Sequence, residues 1–98
     1  MKTVKTMTDS RLDIALEGRL DSESAPEFQK ELGDSLFGVK ELVLDFEKLE
    51  YMSSAGVRVL IWTVQTLGHR GTMRVVKAND MIREIFEITG LNNLLANE

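Results

Sequence analysis

The sequence predicts an α/β fold, a single domain in which a mixed four-stranded sheet with parallel crossovers is packed by three or four helices. The order of apolar runs carries this prediction, because strand-like and helix-like segments alternate after an opening pair of strands. Such alternation is typical of parallel strands joined by helices. The length of 98 residues suits one domain, which we place at residues 1–98.

The first two strands are expected to form a hairpin. Residues 2–8 alternate weakly between apolar and polar types, and Asp9 and Ser10 favour a turn. Residues 12–17 then alternate with a period of two, as a half-buried strand does. This antiparallel pair would make the sheet mixed rather than wholly parallel.

The first helix is predicted to begin with a capping box at Ser24. The Ser24 hydroxyl would accept a hydrogen bond from the Glu27 N–H group, and the Glu27 side chain would reach back. Pro26 suits the first turn, because its missing N–H group would have no partner there. Gly38 is expected to end the helix. The apolar face that follows at helical spacing consists of Ala25, Phe28, Leu32 and Leu36.

The remaining elements continue the alternation of strands and helices. A run that is apolar on both faces is typical of a central strand, and helical spacing or capping residues mark the two later helices. The predicted positions are a central strand at 42–44, a second helix from Ser54 to His69, a strand at 73–76, a third helix from Asn79 or Asp80 to Gly90, and an apolar tail at 91–95. The tail is expected to pack back on the domain.

The second helix has two apolar sides when its residues are turned by about 100° each. We expect the larger side to be the core stripe, formed by Val57, Leu60, Ile61, Val64 and Leu67. We expect the opposite side to dock a partner through Ala55, Arg58, Val59, Trp62 and Thr66. Trp62 would then be substantially exposed in the isolated domain. The other interpretation is that the tail at 91–95 covers Trp62.

Composition argues against several classes of function. The net charge of −4 gives no basic patch, so nucleic acid is not an expected partner. The chain has no Cys and a single His, so we expect no metal site and no catalytic triad. No phosphate-binding loop is visible, and we expect neither an enzyme nor a bound cofactor. The lack of a long apolar run or a signal peptide predicts a cytoplasmic protein without membrane insertion.

The segment Tyr51–Val57 places a serine where a strand turns into a helix. Ser54 at this position has two interpretations. It caps the helix by accepting from free N–H groups, as serine often does. It is also a candidate phosphorylation site, because a helix start offers a phosphate both N–H donors and a favourable dipole. The residues alone leave both interpretations open.

This segment resembles the signature of the STAS domain, which is found in bacterial anti-sigma factor antagonists. Residues 18–25 resemble the family's segment before its first helix, and residues 86–91 resemble its segment at the end of the third helix. The three segments occur in the family's order and spacing. The resemblance therefore covers nearly the whole chain and implies a STAS-like fold.

The resemblance also implies the roles of individual residues. Ser54 matches the position that a partner kinase phosphorylates in this family, and Ser53 is the lesser possibility. Asp21, Ser53 and Gly56 match positions close to the phosphorylated serine. The chain departs from the common pattern in having Ser53 where the family often has Asp, and Ala55 where it often has Ser.

In function, the resemblance implies an anti-sigma factor antagonist that works by partner switching. The unphosphorylated domain would bind an anti-sigma factor that is also a serine kinase, and a metal-dependent serine phosphatase would reverse the phosphorylation. The alternative is a STAS regulatory or scaffold subunit of a transport system or multiprotein signalling complex. A small-ligand-binding module is less favoured, because no pocket signal is visible. Many relatives continue beyond the position of Glu98, so the edge of the fold is expected to be shortened or shared with a second chain.

Overall fold

A computed structural model describes residues 1–96; the end of the chain at Glu98 lies outside the described residues. The sheet holds five strands in the order β1-β2-β3-β4-β5. These strands are β1 (Lys2–Thr8), β2 (Arg11–Leu20), β3 (Glu41–Met52), β4 (Thr72–Val76) and β5 (Leu95–Ala96). The helices are α1 (Ala25–Ser35), α2 (Ser54–Leu67) and α3 (Asp80–Thr89), with short 3-10 turns at Gly68–Arg70 and Asn92–Leu94.

The predicted α/β class and mixed sheet are confirmed, and the strand count is corrected from four to five. The strands β1 and β2 pair antiparallel from Lys2 with Glu17 to Thr8 with Arg11. All later pairs are parallel, including the short pairing of β5 with β4. The tail does pack back on the domain as expected, but its last described residues also join the sheet. A two-residue strand has no periodicity that a sequence could display.

The helices cover one face of the sheet, and the core lies between them and the strands. Each crossover carries the chain one strand further in the same direction, so right-handed connections place α1, α2 and α3 on the same side. Burial along β2 agrees with this arrangement, because Leu12, Ile14 and Leu16 are buried. Arg11 and Asp13 point to the other face, where they form an ion pair at 2.9 Å.

The predicted capping box at the start of α1 is wrong. The backbone of Ser24 is already in the helical region at φ −87° and ψ −23°, whereas a capping serine needs an extended backbone to reach the first-turn N–H groups. Its hydroxyl instead donates to the carbonyl of Arg19 at 2.8 Å and accepts from the Asp21 N–H at 3.0 Å. Ser24 therefore closes the turn between β2 and α1.

The predicted core stripe of α2 is partly wrong. Ile61 and Val64 are 38% and 39% exposed, whereas Val59, which we placed on the outer side, is only 3% exposed. The helix packs on α1 as well as on the sheet, and this second neighbour moves its buried side toward α1. The buried residues of α2 are Gly56, Val57, Val59, Leu60, Thr63 and Leu67.

Trp62 is half-buried rather than substantially exposed, and it packs against the core. Its neighbour is α1: the Cη2 atom of Trp62 lies 3.6 Å from the position that a Cβ atom on Gly33 would occupy. The tail at 91–95 leads to β5 at the far edge of the sheet from α1, so it is not what covers the indole. Both sequence-based interpretations of Trp62 therefore missed its partner.

Candidate functional site

The candidate site lies where the parallel strands β2 and β3 end side by side. Leu20 pairs with Met52 at the last position of both strands. The N–H group of Ser53 donates to the carbonyl of Leu20 at 2.9 Å, which ties the start of α2 to the end of β2. The turn that begins at Asp21 is therefore next to the start of α2. In α/β sheets, the carboxyl ends of the strands are the usual location of binding sites.

Ser53, not Ser54, is the N-cap residue of α2. Its backbone is extended at φ −92° and ψ 177°, its hydroxyl accepts from the Ala55 N–H at 3.2 Å, and its carbonyl accepts from the Val57 N–H at 3.1 Å. The cap interpretation of Ser54 is therefore wrong. Ser54 is the first residue of the helix, its side chain is exposed, and its hydroxyl makes no hydrogen bond to residues 1–96.

Gly56 allows the first turn of α2 to sit directly on the two strand ends. A Cβ atom at this position would lie 2.8 Å from the Cγ atom of Met52 and 2.9 Å from the Cγ atom of Leu20. Both of these side chains are buried and confined by the core. Gly56 therefore fixes how deeply the start of α2, and with it Ser54, is seated.

Asp21 has a structural role that the sequence did not reveal. Its Oδ1 atom accepts from the N–H groups of Glu23 at 3.0 Å and Ser24 at 3.1 Å, and from the Ser24 hydroxyl at 3.3 Å. The Ser24 and Glu23 N–H groups hold the pKa of this carboxyl below its usual range, and the Ser24 hydroxyl and nearby Arg19 act in the same direction. The side chain is thus not free, and no hydrogen bond joins it to Ser54 among the described residues.

A contact between Arg19 and Tyr51 completes this edge of the sheet. The two residues pair across β2 and β3, and the guanidinium carbon lies 4.4 Å from the centre of the Tyr51 ring. The same guanidinium is 3.9 Å from Asp21 Oδ2. Sequence reasoning missed this group because the register shifts twice along β2, once beside Gly18, where φ is +107°.

The structure divides the predicted partner-binding residues among three environments. Arg58 and Thr66 are exposed, while Ala55 and Trp62 are half-buried on the side toward α1. Val59 is removed from the set, because a side chain that is 3% exposed in the packed helix has almost no surface to offer a partner. Ile61 was missed because we assigned it to the core. We define the outer surface of α2 as Ser54, Arg58, Ile61 and Gln65, all of them exposed.

Among residues 1–96, no cluster of three or more His, Cys, Asp or Glu side chains has a geometry that could hold a metal ion. None of the helices described there combines the length and the apolar character needed to cross a membrane.

The fold and the site define a small α/β domain that presents an exposed serine at a strand-to-helix junction. The chain belongs to the STAS domain family: the family model described as "Mlab, STAS domain" matches residues 4–96. The match covers all the strands and helices described above, apart from the first two residues of β1.

Curated relatives and solved structures agree with this assignment. The chain is 33% identical to BtrV of Bordetella bronchiseptica, described as a candidate anti-sigma factor antagonist, over 92% of this chain and 79% of that protein. It is 27% identical to the anti-sigma-B factor antagonist of Staphylococcus aureus, over 92% of this chain and 85% of that protein. The unphosphorylated form of the anti-sigma factor antagonist SpoIIAA shares the fold, with a TM-score of 0.84 at 20% identity over 99% of this chain and 88% of that chain. The phosphorylated form of SpoIIAA from Bacillus gives a TM-score of 0.81 at 22% identity over 99% and 91%.

Proposed function

We propose that this protein is an anti-sigma factor antagonist that works by partner switching, with Ser54 as the phosphorylated residue. The single observation that carries the proposal is the exposed Ser54 hydroxyl, which is left without a structural partner because Ser53 caps α2. The names of the two curated relatives support the regulatory class. A SpoIIAA structure in a phosphorylated form supports phosphorylation as a state that this fold accommodates.

In the proposed cycle, the unphosphorylated domain binds an anti-sigma factor that is also a serine kinase, and a sigma factor is released. The kinase transfers the γ-phosphoryl group of ATP to the Ser54 oxygen, ADP leaves, and the hydroxyl proton passes to a base of the kinase. A metal-dependent serine phosphatase hydrolyses the phosphate ester and restores the hydroxyl. The antagonist itself is a cytoplasmic binding protein in this cycle, without catalytic activity, cofactor or nucleic acid partner.

The location of Ser54 explains why one phosphate could act as a switch. It would add a charge of about −1.5 to −2 at neutral pH. The start of a helix favours negative charge, so the fold tolerates the modification. The same charge on a surface that must be buried against a partner opposes binding, because both repulsion and desolvation act against it.

The exposure of the side chains on α2 supports a docking surface that differs from the one predicted from the sequence. Ser54, Arg58 and Ile61 form its centre on the outer surface of α2. Ala55, Trp62 and Thr66 continue it toward α1, and Ser53 lies at its base as the cap. Asp21, next to the start of α2, is proposed to support recognition by the kinase through the shape of its turn rather than as a free carboxylate.

The test is incubation of the protein with ATP and with each serine kinase found to be encoded near its gene, followed by peptide mapping in a mass spectrometer. Phosphate on Ser54, lost in Ser54→Ala and kept in Ser53→Ala, is the expected result. Phosphate on Ser53 alone would overturn the residue assignment. No modification by any neighbouring kinase, together with co-purification with transporter subunits, would favour the alternative of a STAS regulatory subunit of a transport system.

A further inference from the structure

We propose that Arg58 pairs with the phosphate of phosphorylated Ser54, so that phosphorylation also withdraws this cation from the docking surface. The inference rests on the proposed function, in which Ser54 is the modified residue. It adds a second effect to the negative charge of the phosphate, namely the loss of an available positive charge. A partner that contacts the unphosphorylated domain would thus lose an ion-pairing group at the same moment as it meets a new anion.

The geometry follows from the spacing of the two residues on α2. Ser54 is the first residue of the helix and Arg58 is four residues later, so both side chains are on the same face and both are exposed. Residues at this spacing have Cβ atoms about 5–6 Å apart, and an acid on the N-terminal side of a base is the favourable order. The guanidinium group can donate two parallel hydrogen bonds to phosphate oxygens.

Arg58 is available for this contact. Among residues 1–96, its side chain makes no hydrogen bond, ion pair or ring contact with another residue. Arg19 is closer to the Asp21 turn but is already engaged, over the ring of Tyr51 at 4.4 Å and near Asp21 Oδ2 at 3.9 Å. Lys77 belongs to the loop after β4 rather than to α2, so no helical spacing holds its side chain beside Ser54.

Nearby carboxylates make a cation beside the phosphate more favourable. The turn before α1 carries Asp21 and Glu23, and these acids raise the cost of a further negative charge at this edge of the sheet. A cation from the same helix compensates for that cost without any rearrangement of the fold. The charged and titratable groups at the strand ends and helix starts that meet here include Arg19, Asp21, Glu23, Glu27, Glu50, Tyr51, Arg58, Lys77 and Asp80. The helix α1, which packs on α2, also carries the exposed Lys30 on the side of Trp62.

The experiment measures the second ionisation of the phosphate by phosphorus NMR in the full-length protein. Phosphoserine is placed at position 54 by chemical ligation or genetic encoding, so that no kinase is needed. An ion pair with Arg58 favours the dianion, and Arg58→Gln should therefore raise the phosphate pKa by about 0.3 unit. Lys77→Gln is the matched control and should leave the pKa unchanged, while Arg58→Lys should give an intermediate value because it loses the two-pronged contact.

The outcomes separate this inference from the proposed function. An equal phosphate pKa in the wild type and in Arg58→Gln, with both proteins folded by circular dichroism, overturns the pairing. An equal effect of Lys77→Gln also overturns it, because the wild-type shift would then reflect the general charge of the edge. A pKa shift specific to Arg58 supports the pairing even if no kinase proves to modify Ser54, a result that would count against the proposed function alone.

Discussion

The indole of Trp62 lies against Gly33, a residue with no side chain, in the last turn of α1. The Cη2 atom of Trp62 is 3.6 Å from where a Cβ atom of Gly33 would stand, which is ordinary van der Waals contact. Glycine inside a helix is unfavourable because it gives up the most conformational freedom on folding. A methyl group on residue 33 would therefore fit beside the indole without displacing the Trp62 side chain.

Gly33→Ala should therefore stabilise the protein by roughly 0.5–1 kcal/mol, the helix advantage of alanine over glycine. Urea unfolding at neutral pH measures this difference. Gly56→Ala is the matched contrast, because its new Cβ atom would meet buried Met52 and Leu20 atoms at 2.8 and 2.9 Å. It should be destabilising, and a destabilising Gly33→Ala would show that the indole packs more tightly than the contact distance indicates.

The two adjacent serines should differ in their effect on stability. Ser53→Ala removes the hydroxyl that accepts from the Ala55 N–H at 3.2 Å, and loss of such a cap costs about 1 kcal/mol. Ser54→Ala removes an exposed hydroxyl with no bond to residues 1–96, so its effect should stay within about 0.5 kcal/mol. Thermal or urea unfolding of both variants checks the pair. A larger loss for Ser54→Ala would mean that the cap is misassigned.

The sequence predicted the features that depend on residues close together in the chain, and it did not predict those that depend on tertiary packing. The alternation of strands and helices was predicted, because apolar periodicity is set by residues close together in the chain. The buried side of α2 was not, because Val59 and Ile61 are equally apolar and only the packing of α1 decides which one is covered. The pairing of Arg19 with Tyr51 depended on register shifts that no local pattern displays.

The sequence predicted a serine at the junction of β3 and α2, but it did not predict the contacts around that junction. A serine at the junction of a strand and a helix could be found from residue types, but of the two successive serines we assigned the cap to Ser54 rather than Ser53. Only the extended backbone of Ser53 and the helical backbone of Ser24 decide which hydroxyls act as caps. The role of Asp21 was hidden for the same reason, since the N–H groups that donate to its carboxylate are brought together only when the turn before α1 closes.

Asp21 should contribute to the pH dependence of stability. Its folded-state pKa is lowered, so the unfolded chain binds the proton more readily than the folded one. The contribution is therefore fully present above the ordinary aspartate pKa of about 3.9 and is lost as pH falls through the lower folded value. Unfolding experiments from about pH 7 to about pH 3 should show Asp21→Asn less stable than wild type at neutral pH and closer to it in acid.

The matched control for Asp21 is Asp34→Asn, because Asp34 is exposed on α1 and makes no hydrogen bond or ion pair within residues 1–96. It should not change the difference between neutral and acid pH. A gap between wild type and Asp21→Asn that stays constant across the range would show that the hydrogen bonds of the turn do not depend on the carboxylate charge.

Trp62→Ala should weaken partner binding more than it weakens the fold. Interface anchors of this type contribute on the order of 2 kcal/mol or more. The indole is half-buried, so the loss of stability should remain below the roughly 3–5 kcal/mol of a fully buried tryptophan. Affinity for the anti-sigma factor and urea unfolding are measured on the same variant. Unchanged affinity with a large loss of stability would assign Trp62 wholly to the contact between α1 and α2.

A negative charge at position 54, the proposed phosphorylation site, should be enough to weaken partner binding. Ser54→Asp places a carboxylate at the first position of α2, where the helix dipole favours an acid and the fold should remain intact. The same carboxylate must lose its hydration if the outer surface of α2 is buried by a partner, and it can draw Arg58 toward itself. Titration calorimetry should show at least a ten-fold weaker complex with the anti-sigma factor, about 1.4 kcal/mol. Ser54→Asn, with the same shape and no charge, should bind close to wild type. Equal affinity of the wild type and Ser54→Asp would refute the switch, whereas equal weakening of Ser54→Asp and Ser54→Asn would attribute the effect to side-chain size rather than charge.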